Sequence, residues 1–283
     1  MITDGKAIAA EIRNSLEGKL SELKEKYNSV PKLGTILIGD DAGSHLYVKK
    51  KETAARELGI IFVKYELNKN VTTEEVLSLV GKLNQDPSCN AILIQLPLPN
   101  QDTERILQFV KPEKDVDCLH PLNLGRLLND ENDIIMPPTV ASIMKFLGND
   151  DLIGKKITIV GSGKLVGIPL SIYLTNKGAT VAICNRQTKK IEDYTKVSDI
   201  IVSCAGVPHL IKETMVSDGA KVIDVGINKL GDKVIGDVDY ENVRKKAEVT
   251  PVPGGVGPVT VEMLLKNTLY LFERQMESTS NQN

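Results

Sequence analysis

A phenol, an amine, an amide and two carboxylates stand out in the first half of the sequence: Tyr47, Lys51, Gln95, Asp115 and Asp117. Tyr47 and Lys51 are four apart, so on a helix they share a face. Gln95 closes the apolar run Ala91–Ile94 directly before Leu96-Pro97-Leu98-Pro99, and an amide buried at a strand end needs hydrogen-bond partners. Asp115 and Asp117 alternate, so in an extended stretch they point the same way and could take a cation or the N–H donors of a heterocycle. An amine whose pKa is lowered by burial or by neighbouring cations can relay protons near neutrality, and Lys49 and Lys50 would serve as such neighbours if they point inward. Other readings stay open at this level. Spacing alone favours Tyr47 and Lys51 as a solvated helix face with Lys49–Lys51 as a charge run, and the aspartates serve equally well as turn caps.

The second chemical feature is residues 153–169, Ile-Gly-Lys-Lys-Ile-Thr-Ile-Val-Gly-Ser-Gly-Lys-Leu-Val-Gly-Ile-Pro. Ile157–Val160 is a β-branched apolar run that breaks at Gly161 and Gly163 before helix-compatible residues resume, which reads as strand, tight turn and helix start. Such a turn aims backbone N–H groups and the positive end of a helix dipole at one point, where a pyrophosphate can sit. Gly161, Gly163 and Gly167 spell G-x-G-x-x-x-G, one residue longer than the dinucleotide fingerprint. A second strand, Ala179–Cys184, follows at βαβ distance and ends in Asn185-Arg186. An acidic residue there suits the ribose 2′-hydroxyl of NAD, whereas an arginine suits a 2′-phosphate, so the sequence favours NADP.

Composition narrows the class. At 283 residues the chain is long for one core and suits two α/β domains. A net charge of −2 supplies no basic field for nucleic acid, and no apolar run approaches the roughly 20 residues of a membrane span. Cys89, Cys118, Cys184 and Cys204 are scattered and the first residues, Met-Ile-Thr-Asp, carry no charged-then-apolar leader pattern, so a reduced cytoplasmic setting is expected. His45, His120 and His209 have no ligand spacing, so no metal is expected.

The elements that must position these residues alternate. Ile8, Ile12, Leu16, Leu20 and Leu23 mark an opening helix. Strands are expected at 33–38, 60–65 and 91–95, with a helix over 44–58 closed by Gly59 and another opened by the capping box Thr72-x-x-Glu75. Residues 112–126 read as loop. Strands follow at 199–204 and 221–225, each with small residues behind it, Ala205-Gly206 and Gly226, that leave room for a flat ring. A helix over 260–274 is expected to return to the first domain, and 277–283 to fray. The fold class is therefore α/β, two domains with parallel sheets, the second of Rossmann type and a cleft between them: 1–120 with 260–283, and 138–257.

Taken together, these residues resemble the bifunctional methylenetetrahydrofolate dehydrogenase/methenyltetrahydrofolate cyclohydrolase family from about Gly43 to Asn267. The resemblance is carried by Ser44-His-Leu-Tyr47-Val-Lys-Lys-Lys51, Gln95-Leu-Pro-Leu-Pro, Pro112-Glu-Lys-Asp-Val-Asp117 and Thr250-Pro-Val-Pro-Gly-Gly-Val-Gly-Pro258-Val-Thr260. It implies that Lys51 is catalytic, with Tyr47, Gln95 and Asp117 as its partners, Tyr47 stacking on the aminobenzoyl ring of the folate and Asp117 holding the pterin. It places the substrate against Tyr47, Gln95, Leu96, Pro97, Asp117, Pro253, Gly254 and Gly255, the last three in a turn that lines the cleft. Candidate cofactor-binding residues are Gly161, Ser162, Gly163, Val166, Gly167, Arg186, Ala205, Gly206, Ile227 and Thr260. Implied partners are tetrahydrofolate derivatives and NADP, with no nucleic acid or membrane, and a homodimer formed through the cofactor domain; the implied role is in one-carbon metabolism and purine biosynthesis.

Three positions depart from the family pattern. Ser162 replaces an arginine that many members use for the 2′-phosphate, Pro138 and Val140 alter the Pro-Cys-Thr-Pro block, and Cys118 replaces the glycine after Asp-Val-Asp. Rival readings are a dehydrogenase-only member using NAD, a non-catalytic dinucleotide-binding protein, and a two-domain amino- or hydroxy-acid dehydrogenase, for which the Pro253–Pro258 turn has no purpose. If Arg186 takes over the 2′-phosphate, Arg186→Ala weakens NADP far more than NAD in parallel binding titrations. Equal losses for both nucleotides would remove that role.

Overall fold

Runs of four to seven apolar residues become the strands, and the segments between them become helices because a parallel strand can be re-entered only through a crossover. The computed structural model describes residues 4–148, 150–231 and 233–280. Its contacts divide the chain into two units, residues 12–125 with 133–138 and 261–283, and residues 1–11 with 126–132 and 139–260.

In the first unit α1 (Gly5–Tyr27), which begins in the other unit, precedes β1 (Lys32–Ile38), α2 (Ala42–Leu58), β2 (Ile61–Leu67), α3 (Thr73–Gln85), β3 (Ala91–Ile94), α4 (Thr103–Phe109) and α5 (Pro121–Leu128). The three strands are parallel in the order β2-β1-β3, with Leu33 opposite Phe62 on one side and Ala91 on the other. Period-two alternation sends Leu33, Leu37 and Leu93 to one face, and Ile36, Ile38, Ile92 and Ile94 to the other. Leu16, Leu20 and Leu23 of α1 cover the first face with Val48 and Leu58 of α2, while Val76, Val80, Leu83 and Ile106 of α3 and α4 cover the second. β1 and β3 are buried along nearly their whole length and read as apolar runs, whereas the edge strand β2 alternates, with Lys64 and Glu66 in it. The expected caps are present: Gly59 ends α2 at φ 97°, and Thr72 and Glu75 bond reciprocally at the start of α3.

The second unit contains α6 (Pro138–Leu147), β4 (Lys156–Val160), α7 (Gly167–Asn176), β5 (Thr180–Cys184), α8 (Glu192–Thr195), β6 (Ile200–Ser203), β7 (Lys221–Asp224), the hairpin β8 (Asn228–Leu230) and β9 (Lys233–Ile235), α9 (Tyr240–Val243) and β10 (Glu248–Val249). Five parallel strands lie in the order β10-β7-β6-β4-β5. The chain therefore starts in the sheet at β4, winds outward to β5 and then reverses to β6, which makes a topological switch point at the carboxyl ends of β4 and β6.

The last helix, α10 (Val256–Ser280), starts earlier than the expected 260 and ends later than 274. Pro258 reads as a turn residue, yet it falls in the first helical turn, where its missing N–H would have had no partner anyway. Glu277–Ser280 stay helical rather than frayed, and Asn281–Asn283 lie outside the described residues. Leu264, Leu265, Leu269 and Phe272 pack into the cluster of α1 and β1, within the first unit. Residues 112–126 are not all loop: Pro112–Lys114 form a 3-10 turn, and α5 begins at Pro121. Proline opens α5 and α6 too, which hid both helices from a reading that treats proline as a breaker.

Among the described residues no helix is long and apolar enough to cross a membrane, and no cluster of His, Cys, Asp and Glu is placed to hold a metal. All four cysteines are free thiols.

Cys118, the residue in place of the family glycine, sits in the left-handed region at φ 58° and is fully buried. A side chain there costs about 1–2 kcal/mol of strain, which the burial of its sulfur offsets. Cys118→Gly should accordingly leave the urea midpoint nearly unchanged. Cys118→Val, β-branched at positive φ, should lose about 2 kcal/mol or more, and equal midpoints for the two variants would refute this balance.

Candidate active site

Asp41 caps α2 by accepting the N–H of Ser44 at 2.7 Å, and this starts the helix that carries Tyr47 and Lys51. Gln95 follows β3 directly, its N–H still on the ladder to Ile36 O at 2.9 Å. The two elements bring Lys51 Nζ to 3.0 Å from Gln95 Oε1, while Gln95 Nε2 donates to Leu96 O at 2.8 Å. The amide is thus oriented with its oxygen toward the amine. Leu96 and Pro97 are joined by a cis peptide bond.

Burial lowers the pKa of Lys51, and the charge of Asp117 works against that shift. Asp117 is pushed up to about 6 by burial, with Lys51 pulling it down and Asp115 pushing it further up. An amine and a carboxyl from positions 51 and 117 therefore share one half-buried region beside Gln95. Burial also raises the pKa of Tyr47, which stays a neutral phenol. Lys49 and Lys50 do not help to depress Lys51, contrary to expectation. Both are exposed, and Lys50 lies over the Tyr47 ring with its Nζ 5.7 Å from the centroid. Desolvation alone lowers Lys51.

Asp115 and Asp117 part ways because their segment is a turn rather than extended. Asp115 is buried and accepts the N–H of His120 at 2.8 Å and Nδ2 of Asn123 at 2.9 Å. It is a loop organiser. Asn267 of α10 donates to Val116 O at 2.9 Å and Met136 O at 2.8 Å, anchoring the same turn from behind Asp117. The sequence reading missed Asn123 and Asn267 as positioning residues. The available signal was an asparagine inside the otherwise apolar stripe of α10.

In the second unit the three glycines do different jobs. Gly161 has φ 123°, and a Cβ there would lie 2.5 Å from Cys204 O, so the chain between β4 and β6 closes only over glycine. A Cβ on Gly167 would lie 1.9 Å from Gly161 O, so α7 can start this close to the turn only with glycine. Gly163 alone faces open space, with nothing within 4 Å of a built Cβ. The turn is one residue longer than the fingerprint but divides the labour as a dinucleotide-binding turn does. α7 begins behind Val166 with no side-chain cap, which leaves its positive end for an anion. These features fit a pyrophosphate. Ser162 is partly exposed in the turn, and Ala205, Gly206 and Ile227 lie at the carboxyl edges of β6 and β7, with Ile227 46% exposed. Arg186 is exposed on a turn built by Thr188 Oγ1 and Asn185 Oδ1, which accept the N–H groups of Asn185 and Gln187 at 2.9 Å each.

Pro253, Gly254 and Gly255 form the turn before α10, after a cis Val252–Pro253 bond and with Gly254 at φ 104°. Thr260 spends its hydroxyl on its own helix, donating to Val256 O at 3.0 Å.

Comparison with known proteins agrees with both halves. Residues 3–117 match the family model described as tetrahydrofolate dehydrogenase/cyclohydrolase, catalytic domain, and residues 137–276 match the NAD(P)-binding domain of the same family. This chain belongs to the tetrahydrofolate dehydrogenase/cyclohydrolase family. A bifunctional protein FolD from Sulfurihydrogenibium sp. is 44% identical over 98% of this chain and 99% of its own. The crystal structure of the bifunctional FolD enzyme from Campylobacter jejuni superposes with a TM-score of 0.92 at 43% identity, covering 96% of this chain and 98% of that one. A Trypanosoma brucei FolD, solved with NADP and an inhibitor, gives 0.93 at 39% identity over 97% of both chains.

For this family member, the Lys51 and Asp117 charges are coupled in one direction that can be measured. In Asp117→Asn the field that holds the ammonium up is gone, so the pKa of Lys51 should fall further, read by NMR of labelled lysine. Asp117 also sets a stability window. Its folded pKa near 6 lies above the ordinary value of 3.8, so native Asp117 takes up its proton before the unfolded chain does, and its penalty is relieved as pH falls from about 6 toward 4. A Lys51 pKa unmoved in Asp117→Asn would mean that the two groups do not interact.

Proposed function

We propose that this protein oxidises 5,10-methylenetetrahydrofolate to 5,10-methenyltetrahydrofolate with NADP and hydrolyses the methenyl form to 10-formyltetrahydrofolate. The observation that carries the reading is Lys51, half-buried, its pKa lowered by desolvation and its amine hydrogen-bonded to Gln95, in the part of the chain that matches the catalytic domain.

When bound, the nicotinamide accepts a hydride from the one-carbon bridge. The chain's own residues do the rest. Asp117, ionised at neutral pH, accepts the N–H donors of the pterin, and the neutral face of Tyr47 stacks on the aminobenzoyl ring. Holding the bridge carbon in one orientation is the main demand of the first step, because the ring nitrogens stabilise the methenyl cation themselves. For the second step Lys51, as the free amine favoured by desolvation, takes a proton from the water that adds to the methenyl carbon. It returns a proton to N5 as the carbon–N5 bond breaks, and one proton is released overall. Gln95 holds the amine in place between the two transfers.

We assign residues 1–120 with 260–283 to folate binding and catalysis, and 138–257 to NADP. Arg186 on its exposed turn supports NADP over NAD, since Ser162 cannot supply the cation. A cytoplasmic homodimer in one-carbon metabolism that serves purine biosynthesis completes the reading, supported by four free thiols and by the edge strand β5, whose Ile183 is 37% exposed.

Absorbance during turnover, following reduced cofactor and methenyltetrahydrofolate together, tests the activity. Reduced NADP without lasting methenyl accumulation is expected; no reduction with either nucleotide overturns the reading, and methenyl accumulation at the uncatalysed hydrolysis rate removes the cyclohydrolase. Lys51→Ala should lose at least about 100-fold in methenyl hydrolysis with NADP affinity nearly intact. Normal hydrolysis in this variant would refute the role of Lys51.

A further inference from the structure

At the switch point of the second sheet, the turn after β6 carries Ala205, Gly206 and Val207, and the last two are exposed. Beneath it lies a carboxylate from a different part of the chain, Asp237, which is 0% exposed. Its Oδ2 accepts from Ser203 Oγ at 3.1 Å, Ala205 N at 2.7 Å and Gly206 N at 3.1 Å, and its Oδ1 accepts from Val207 N and Asn228 Nδ2 at 2.9 Å each. Three consecutive peptide N–H groups are therefore turned inward onto one side chain. Every partner is a donor, and only an ionised carboxylate can receive them all, since an amide would set its own N–H₂ against at least one.

Asp237 is itself held by a second buried carboxylate. Asp224, at the end of β7, accepts Asp237 N at 3.0 Å, Val238 N at 2.9 Å and Gly226 N at 2.9 Å. Space for this arrangement is reserved on both sides. A Cβ on Gly226 would lie 2.1 Å from Asp237 Oδ1, and one on Gly236 would lie well inside contact distance of Asp224 Oδ2. Neither glycine has positive φ, so room and not backbone conformation excludes a side chain. The ends of β6 and β7 are thus cross-tied through two carboxylates, and the tie ends at the turn directly after Cys204, whose carbonyl closes against Gly161.

We infer that Asp237 is a positioning residue for the nicotinamide cofactor, holding the 205–207 turn in the one shape that lets the cofactor lie along the carboxyl edge of β6. This rests on the reading of that edge as the cofactor site. Asp237 touches no reacting atom; it acts through the turn.

The full-length protein serves for the test, with NADPH as the probe. Asp237→Asn should bind NADPH at least tenfold more weakly, and amide exchange at Ala205–Val207 should quicken at least tenfold. Hydrolysis of added methenyltetrahydrofolate without nucleotide should stay within twofold of wild type. If Asp237→Asn does not fold, Ser203→Ala removes one donor without adding a mismatched one and should weaken NADPH two- to fivefold. Wild-type NADPH affinity and exchange in a folded variant overturn the inference. So does a loss of both activities in step with thermal stability, which marks a general structural role. A wild-type protein that binds no NADPH overturns the cofactor reading beneath it instead, and with it the inference.

Discussion

A parallel sheet collects its loops at one edge, because each strand must be left at its carboxyl end and re-entered from the other side of a crossover. Both units of this protein depend on that constraint. In each, the first strand of the sheet becomes interior and the chain winds first to one side of it and then to the other, β2-β1-β3 in one and β5-β4-β6 in the other. The reversal opens a gap at the carboxyl ends of the two strands that flank it. Gln95 stands at that edge in the first unit, where Lys51 meets it from α2, and Gly161 faces Cys204 there in the second. The same topology thus makes a place for two different ligands, and the residue types at the edge decide which one each receives.

Charge is handled oppositely at the two edges. In the first unit burial leaves Lys51 and Asp117 short of solvation, and each shifts toward its neutral form, tempered by the other. That opposition lowers the cost of taking a proton off the amine. In the second unit Asp237 is surrounded by hydrogen-bond donors, and the result is a carboxylate that shapes backbone. Desolvation without full pairing makes a group reactive, whereas full pairing makes it structural. Asp115 belongs to the second kind, although it stands two residues from Asp117.

Much of the fold was legible from sequence because its signals are local. Strands β1, β3, β4, β6 and β7 are buried on both faces and read as unbroken apolar runs. Gly59 and the Thr72–Glu75 box mark helix ends through bonds that span only a few residues. Helices α5, α6 and the start of α10 were hidden because proline in a first helical turn is indistinguishable by type from proline in a loop. Of the site, Lys51, Gln95 and the glycines of β4–α7 stood out by motif; Asp237 and Asn267 did not, since their partners lie far along the chain, and Asn123 did not, since its segment read as loop.

By itself, then, the sequence determined the alternation of strand and helix, the caps, the glycine turn and the presence of an amine, an amide and a carboxylate of suitable kind, because each follows from residue type and short-range spacing. Tertiary structure decided what those groups are. It brought Lys51 against Gln95, 44 positions away, and half-buried it, left Lys49 and Lys50 in water, gave Asp115 to its own loop and set Asp117 within reach of the Lys51 charge. It also showed that Gly161 and Gly167 are required by the chain's own packing while Gly163 alone leaves open space. Desolvation and close approach are properties of everything that surrounds a group, and a linear spacing does not contain them.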